Sequence, residues 1–173
     1  MITGWSDALM EEKTISISFL EFETVDELPE VDRELCIEAR NALSSSHSPY
    51  SEFRVGAAVR LKSGKIIHGS NQENVAFPSG LCAERVALFA TGAQHAGDPI
   101  ESIAITATSE KFNVVDPVTP CGACLQVLGD FEQRQQSPIR VLLYCLGKNV
   151  LVSEGAANFL PFQFIEQRLK KEI

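Results

Sequence analysis

Two short cysteine motifs constrain this chain more than any other feature, because together they describe one metal site. Cys82 is followed two positions later by Glu84, and Pro120-Cys121-Gly122-Ala123-Cys124 comes later in the chain. Three thiolates suit zinc, and a catalytic zinc site keeps its fourth position for water whereas a structural site fills it with a protein ligand. No other cysteine or histidine has motif spacing, so the sequence predicts one open zinc site, with Cys82, Cys121 and Cys124 as ligands.

The second motif is expected at the start of a helix. Thr119-Pro120 fits an N-cap followed by proline at the first helical position, which predicts a helix from about Pro120 to Gln135. Cys121 and Cys124 would then share one face of that helix, and the positive end of the helix dipole would favour their thiolate forms. The apolar residues that continue this face are Leu125, Leu128 and Phe131.

The first motif is also expected at a helix start, with the helix running to about Ala96. Residues two apart point away from each other on a regular helix, so we expect Cys82 in the cap region and Glu84 reaching back over the open metal position. Arg85 would offset part of the negative charge of three thiolates. The residues that share helical spacing with Cys82 are Val86, Phe89 and Ala93.

Glu84 is predicted to be the general acid–base group of this site. Thiolates donate charge to zinc and weaken it as a Lewis acid, so the attacking water needs a base beside it. The alternatives are a closed structural site with a fourth ligand, such as Cys36 or Cys145, and a redox dithiol formed by the second motif. Neither alternative uses Glu84. Cys36 and Cys145 are expected to be buried in the core, where cysteine acts as a small apolar residue.

Length and charge narrow the function further. The chain has 173 residues, 45% of them hydrophobic and 22% charged, which predicts one globular domain. A net charge of −8 argues against a nucleic-acid partner. No run of residues is long and apolar enough for a membrane span, and the N-terminus has no export signal pattern. Five cysteines, three of them in metal spacing, favour a reducing, cytoplasmic location.

The order of elements indicates the fold class. Residues 1–28 form an N-terminal extension, in which the alternation of Ile15, Ile17 and Phe19 favours an extra strand, and residues 29–173 form the catalytic domain. Strands and helices then alternate, which predicts a three-layer α/β/α domain with a mixed sheet. The predicted elements are a leading helix over 29–46, strands over 53–61, 65–70, 102–108, 139–146 and 150–152, the two cysteine helices, and a loop and helix over 158–171.

The chain resembles the cytidine deaminases, the small pyrimidine-nucleoside type, over about Ser48 to Phe164. The resemblance rests on five sequence blocks in a fixed order, which is a specific signal, whereas Pro-Cys-x-x-Cys alone would also suit a zinc ribbon. The blocks are Ser48-Pro49-Tyr50-Ser51-Glu52-Phe53-Arg54-Val55-Gly56-Ala57-Ala58, Asn71-Gln72-Glu73-Asn74, Cys82-Ala83-Glu84-Arg85, Pro120-Cys121-Gly122-Ala123-Cys124 and Leu160-Pro161-Phe162-Gln163-Phe164.

The resemblance implies a five-stranded mixed sheet and zinc-dependent hydrolysis of cytidine and deoxycytidine in pyrimidine salvage. It implies that Phe53 packs on the pyrimidine, that Asn71 and Glu73 hold the ribose hydroxyls, and that the Ala83 backbone contacts the base. It also implies a homotetramer, in which Phe164 of one subunit approaches the site of another.

The sequence departs from the family pattern at two positions, and two other functions are compatible with it. Leu125 stands where many members have arginine, and Phe77 where many have tyrosine. A related zinc deaminase acting on another aminopyrimidine, or on an antibiotic such as blasticidin S, is the first rival, although Asn71-x-Glu73 speaks against it. A non-enzymatic binding protein is the second, and the intact Glu84 speaks against that.

Overall fold

Residues 11–165 are the part of the chain that the computed structural model describes. They contain a sheet of six strands and three α-helices, together with short 3-10 turns. The strands are β1 (Leu20–Phe22), β2 (Phe53–Leu61), β3 (Ile66–Ser70), β4 (Ile100–Ser109), β5 (Arg140–Cys145) and β6 (Val150–Glu154), and the helices are α1 (Glu30–Ala42), α2 (Ala83–Gln94) and α3 (Gly122–Gln135).

The sheet is mixed, with the strand order β1-β6-β5-β4-β2-β3. Only β4 and β5 run parallel, and α3 forms the crossover between them; each of the other pairs is antiparallel. The predicted α/β fold with a mixed sheet is therefore confirmed. The strand number differs, since the sheet has six strands and not the five that the resemblance implies.

The sixth strand comes from the residues that precede α1, at a different place from the predicted one. Ile15, Ile17 and Phe19 are more than half exposed and belong to no strand. The chain pairs with β6 a few residues later, where Phe22 lies opposite Val150. Phe22 packs there against the apolar cluster beneath α1, so burial of this ring, and not the earlier alternation, decides where the strand forms.

Strand alternation divides the core into two clusters, one on each face of the sheet. On one face α1 packs against Ala58, Ala104 and Leu142. On the other face α2 and α3 pack against the alternate residues of the same strands. The buried residues of that second cluster include Ala57, Val59, Leu61, Ile103, Ile105, Val141 and Leu143 from the sheet and Ala83, Ala87, Leu88, Leu128 and Phe131 from the helices.

Glycine lets α2 approach the sheet closely at its first turn. A Cβ atom at Gly69 would lie 2.3 Å from the carbonyl oxygen of Ala83, far inside contact distance. The first turn of α2, which carries Cys82 and Glu84, is therefore seated directly on β3.

The first turn of α3 begins later than predicted. Cys121 is the N-cap, with φ −71° and ψ 164°, and the helix starts at Gly122. Pro120 is consequently outside the helix and not its first residue. The predicted inner face of the helix is confirmed, because Leu125, Leu128 and Phe131 are all buried.

The face of α2 that shares helical spacing with Cys82 is not the buried one. Phe89 is 46% exposed, and Ala93 is exposed as well. The buried side of the helix is instead formed by Ala83, Glu84, Ala87, Leu88 and Thr91.

Two further predictions concern the ends of the described region. The leading helix is confirmed as α1 followed by a 3-10 turn at Leu43–Ser45. The helix predicted toward residue 171 falls largely outside the described residues, which end with a 3-10 turn at Ala156–Asn158 and a short irregular segment.

Within residues 11–165 no helix has the length and apolarity that crossing a membrane requires.

Candidate active site

Three cysteine sulfurs meet where α2 and α3 begin. The Sγ atoms of Cys82, Cys121 and Cys124 all lie within 4.8 Å of one another, and those of Cys121 and Cys124 are 3.5 Å apart. Tetrahedral zinc with Zn–S bonds of about 2.3 Å needs sulfurs about 3.8 Å apart. The donor set and its spacing therefore fit one zinc ion, held by three protein ligands.

Both helix starts place a cysteine at the N-cap. Cys82 has φ −71° and ψ 153°, nearly the same extended backbone as Cys121. An extended N-cap directs its side chain toward the end of the helix and not along its side, so two helix ends can present ligands to one point. Cys124 comes from the first turn of α3 and lies behind them, 1% exposed.

The surroundings of Cys82 favour its thiolate form. The pKa of Cys82 is lowered to about 5, chiefly by the hydrogen bond from the Cys124 thiol and then by Arg85. The Arg85 guanidinium nitrogen Nη2 lies 3.7 Å from Cys82 Sγ. The same hydrogen bond to Cys82 and burial raise the pKa of Cys124. Thiolate is the form in which cysteine binds zinc, so the lowered pKa of Cys82 suits a metal ligand.

Glu84 is the buried carboxyl group beside the sulfurs. It lies in the first turn of α2 and is 6% exposed. Burial raises the pKa of this carboxyl, and the neighbouring Cys82 adds to the effect. A carboxyl group with a raised pKa can both accept and return a proton near neutral pH, which suits general acid–base chemistry.

A cavity of about 780 Å³ opens beside Glu84 and two of the sulfurs. Its size and largely apolar walls suit a small organic ligand. Of the predicted site residues, Cys82, Cys121, Glu84, Phe53, Asn71 and Glu73 line it, whereas Cys124, Ala83, Arg85 and Phe164 do not. The lining residues that the sequence analysis did not select are Tyr50, Ser51, Val55, Gln72, Asn74, Phe77, Gly80, Leu81, Ile105, Val118 and Thr119.

Most of the unselected residues carried a signal in the sequence. Tyr50 and Ser51 stand in the same block as Phe53, and Val118 and Thr119 directly precede the second cysteine motif. Their closeness in sequence to the predicted site residues is the signal that could have identified them. Ile105 had no such signal, since it is a central residue of β4 that reaches the cavity floor only through the sheet register.

Glu73 is held by the loop that precedes β2. One carboxylate oxygen accepts hydrogen bonds from the backbone amides of Tyr50, at 2.8 Å, and Ser51, at 3.3 Å, and the other accepts one from the Ser51 hydroxyl. These bonds, led by that of the hydroxyl, lower the pKa of Glu73. The group is therefore an anion with a fixed orientation at the cavity wall, suited to accept hydrogen bonds from hydroxyl groups.

Comparison with known proteins identifies the family. The family model described as "Cytidine and deoxycytidylate deaminase zinc-binding region" matches residues 29–136, more than half of the chain. The chain belongs to this family.

Individual relatives agree with the family model. A protein of Halalkalibacterium halodurans named cytidine deaminase is 41% identical over 101 residues, which are 58% of this chain and 72% of the relative. A second, from Sporosarcina psychrophila, is 40% identical over 100 residues, covering 56% and 67%. The crystal structure of cytidine deaminase from Burkholderia pseudomallei superposes with a TM-score of 0.65 at 35% identity, covering 76% of this chain and 97% of that one.

Of the two residues that depart from the deaminase family pattern, one is buried and the other lies at the cavity. Leu125 is 6% exposed and packs inward from α3, so no side-chain charge from this position reaches the sulfurs. Phe77 is 74% exposed and lines the cavity, where its ring meets that of Tyr50 edge-to-face with centroids 5.5 Å apart.

Phe164 and Ala83 are not among the residues that line this cavity. Phe164 is 71% exposed, and its backbone is fixed by two hydrogen bonds of 2.9 Å with the side chain of Gln126 on α3. Ala83 is fully buried against β3. A contact between Phe164 and a substrate would therefore have to involve a neighbouring subunit.

Proposed function

We propose that this chain is a zinc-dependent enzyme that hydrolyses the amino group of cytidine and deoxycytidine, giving uridine or deoxyuridine and ammonia. The observation that carries the proposal is the buried Glu84 carboxyl, which lies beside three cysteine sulfurs and opens onto a cavity of nucleoside size. Cys82, Cys121 and Cys124 would hold one zinc ion per subunit. When bound, the zinc ion supplies electrophilic activation of water.

Glu84 is proposed to move both protons of the reaction. Water adds its oxygen to C4 of the pyrimidine, and Glu84 transfers one water proton to the ring nitrogen N3. The carboxylate then takes the second proton from the added hydroxyl and gives it to the amino group, which leaves as ammonia. C4 is left as a carbonyl, so atoms and charges balance. Its position beside the sulfurs and its raised pKa support this role for Glu84.

The substrate-binding roles are proposed for residues on the cavity wall. Phe53 would pack on the pyrimidine, and the fixed carboxylate of Glu73 would accept hydrogen bonds from the ribose hydroxyls. Asn71 would complete the ribose site. The backbone of Ala83 at the helix start would contact the base, and Arg85 would balance the charge of the sulfurs.

The assembly and location of the protein are further proposals. We propose a homotetramer with shared sites, supported by the exposed rings of Phe162 and Phe164 and by the family of the chain. A reducing, cytoplasmic location is supported by the arrangement of three of the five cysteines as a group that could hold a metal ion. Residues 29–173 are proposed as the catalytic domain and residues 1–28 as an extension to it.

An absorbance assay of the purified protein tests the function. Cytidine, deoxycytidine, cytosine and blasticidin S are offered separately at equal concentration, with zinc content measured on the same sample. Turnover of the two nucleosides with little turnover of cytosine is expected, because the Glu73 carboxylate needs a ribose to hold. Turnover of blasticidin S alone would replace the proposed substrate, and a zinc-loaded protein inactive on all four compounds would refute the enzymatic proposal.

A further inference from the structure

A second aromatic ring lies on the ring of Phe53. The loop between β4 and α3 carries Phe112, whose ring centroid is 6.0 Å from that of Phe53 with an angle of 18° between the planes. This is the geometry of an offset-stacked pair. Phe53 lines the cavity, whereas Phe112 does not line it and is 56% exposed. Phe112 therefore contacts Phe53 without being part of the cavity wall.

Three further contacts join the same two segments of chain. The backbone amide of Glu110 donates a hydrogen bond of 3.4 Å to the carbonyl of Glu52. The Arg54 guanidinium lies 3.3 Å from the Glu110 carboxylate, and the Lys111 ammonium lies 3.4 Å from the Glu52 carboxylate. Exposed ion pairs add little stability, but these contacts hold the residues on both sides of Phe53 against the two residues that precede Phe112. The loop thus contacts the residues directly before and after Phe53.

One of the residues that this loop contacts, Glu52, has an uncommon backbone conformation. Its φ is 56°, in the left-handed region that residues other than glycine rarely adopt. The turn it makes leads directly into Phe53 at the start of β2. A residue in this region persists where its surroundings hold it, and here the loop contacts both its carbonyl and its carboxylate.

We propose that Phe112 is a positioning residue for substrate binding, which holds the Phe53 ring at the angle that the pyrimidine needs. This rests on the proposed function, in which Phe53 packs on the base. An aromatic ring at the mouth of a cavity loses rotamer freedom when a ligand stacks on it, and a second ring that already restricts it lowers that cost. Phe112 contributes to affinity in this way without touching the substrate.

The Phe112→Ala variant separates positioning from catalysis. A stacked pair contributes about 0.5–1.5 kcal/mol, which corresponds to a rise in KM for cytidine of about 2- to 13-fold. The value of kcat and the zinc content should stay at the parent level, because neither Glu84 nor the sulfurs are touched. Phe112→Tyr, which keeps the ring, should restore the parent KM, whereas Phe112→Leu, which keeps only apolar area, should not.

Val115→Ala is the matched control, since Val115 is in the same loop and 54% exposed. It should leave KM unchanged. If Phe112→Leu restores KM as well as Phe112→Tyr does, or if Val115→Ala raises KM as much as Phe112→Ala does, the ring has no positioning role and the proposal is overturned.

A double-variant cycle decides whether Phe112 acts through Phe53. Uridine binding is measured by calorimetry on the zinc-loaded parent, Phe53→Ala, Phe112→Ala and the double variant. Phe112→Ala should weaken binding in the parent background and have no further effect once Phe53 is removed. Equal weakening in both backgrounds would overturn the proposal while leaving the function intact. A parent that neither binds uridine nor turns over cytidine would instead overturn the proposed function, and this proposal with it.

Discussion

The side-chain amide of Asn71 donates a hydrogen bond of 2.8 Å to the backbone carbonyl of Phe53. The side-chain oxygen of Asn71 accepts another, also of 2.8 Å, from the backbone amide of Val55. Asn71 thus joins the loop after β3 to the first residues of β2. The residue proposed for the ribose fixes the strand that carries the ring proposed for the base, so the two halves of the substrate site form one hydrogen-bonded unit.

We therefore predict that Asn71→Asp weakens both folding and substrate binding. Aspartate keeps the acceptor for Val55 but places an oxygen against the carbonyl oxygen of Phe53, where the amide donated. The free energy of unfolding, measured by urea denaturation, should fall by about 1–3 kcal/mol, and KM for cytidine should rise. Asn74→Asp is the control for stability, because Asn74 is exposed and only accepts a hydrogen bond, from the backbone amide of Ala76. Equal stability of the two variants would contradict the prediction.

Glu84→Gln should keep the zinc ion and lose nearly all turnover. Glutamine has the same shape but cannot carry a proton, and general acid–base groups contribute about 10²- to 10⁴-fold in rate. A fall in kcat of at least this size, with zinc content at the parent level, is expected. Glu101→Gln, at an exposed position of β4, is the control and should have parent activity. Activity of Glu84→Gln close to the parent would remove Glu84 from the mechanism.

The helix faces show what the sequence could and could not predict. On α3 the helical spacing from Cys124, which lies inside the helix, predicts a face with Leu125, Leu128 and Phe131, and all three are buried. On α2 the spacing from Cys82 predicts a face that is not the buried one, because Cys82 is an extended N-cap outside the helix. Phe89, which has this spacing, is exposed. Periodicity predicts a face only from a residue that is itself helical.

In the sheet and the site, too, local sequence patterns predict some features and miss others. The sequence predicts β2 over 53–61, as observed, and β4 over 102–108, inside the observed range Ile100–Ser109. Cap propensities at Thr119-Pro120 predict that α3 starts at Pro120, whereas Cys121 is the N-cap and the helix starts at Gly122. The Phe53–Phe112 pair depends on a loop whose path no local pattern predicts.

The five cysteines should divide into two classes on metal analysis. Alanine at Cys82, Cys121 or Cys124 should deplete zinc and lower the melting temperature, because metal binding and folding are coupled. Cys36→Ala and Cys145→Ala should keep zinc at the parent level. Cys36 is fully buried on α1, where burial raises its pKa to about 12.

Cys145 is the sharper control of the two, since an open site requires that it does not bind the metal. It is 1% exposed, and its thiol lies 3.6 Å from the carbonyl oxygen of Val114. Loss of zinc from Cys145→Ala would mean that the site is closed by a fourth ligand. The catalytic interpretation would then be wrong.

The last prediction concerns the shared site. Phe164 is exposed and fixed on α3 by Gln126, outside the cavity of its own chain, so a role in substrate binding requires a second subunit. Phe164→Ala should raise KM for cytidine and leave zinc bound, because a ring from a neighbour would exclude water from the nucleoside. Dilution below the assembly threshold should also lower the activity of the parent.

Mixing two defective variants tests this sharing directly. Glu84→Gln keeps Phe164 but has an inactive site, and Phe164→Ala keeps Glu84 but cannot complete the site of its neighbour. Subunits refolded together should include sites that combine an intact Glu84 with a neighbour's intact Phe164, and these should recover the parent KM. Refolding each variant alone is the control and should give no recovery. A mixture that is only the sum of its components, or light scattering that shows a fully active monomer, would refute the shared site and leave the zinc chemistry unaffected.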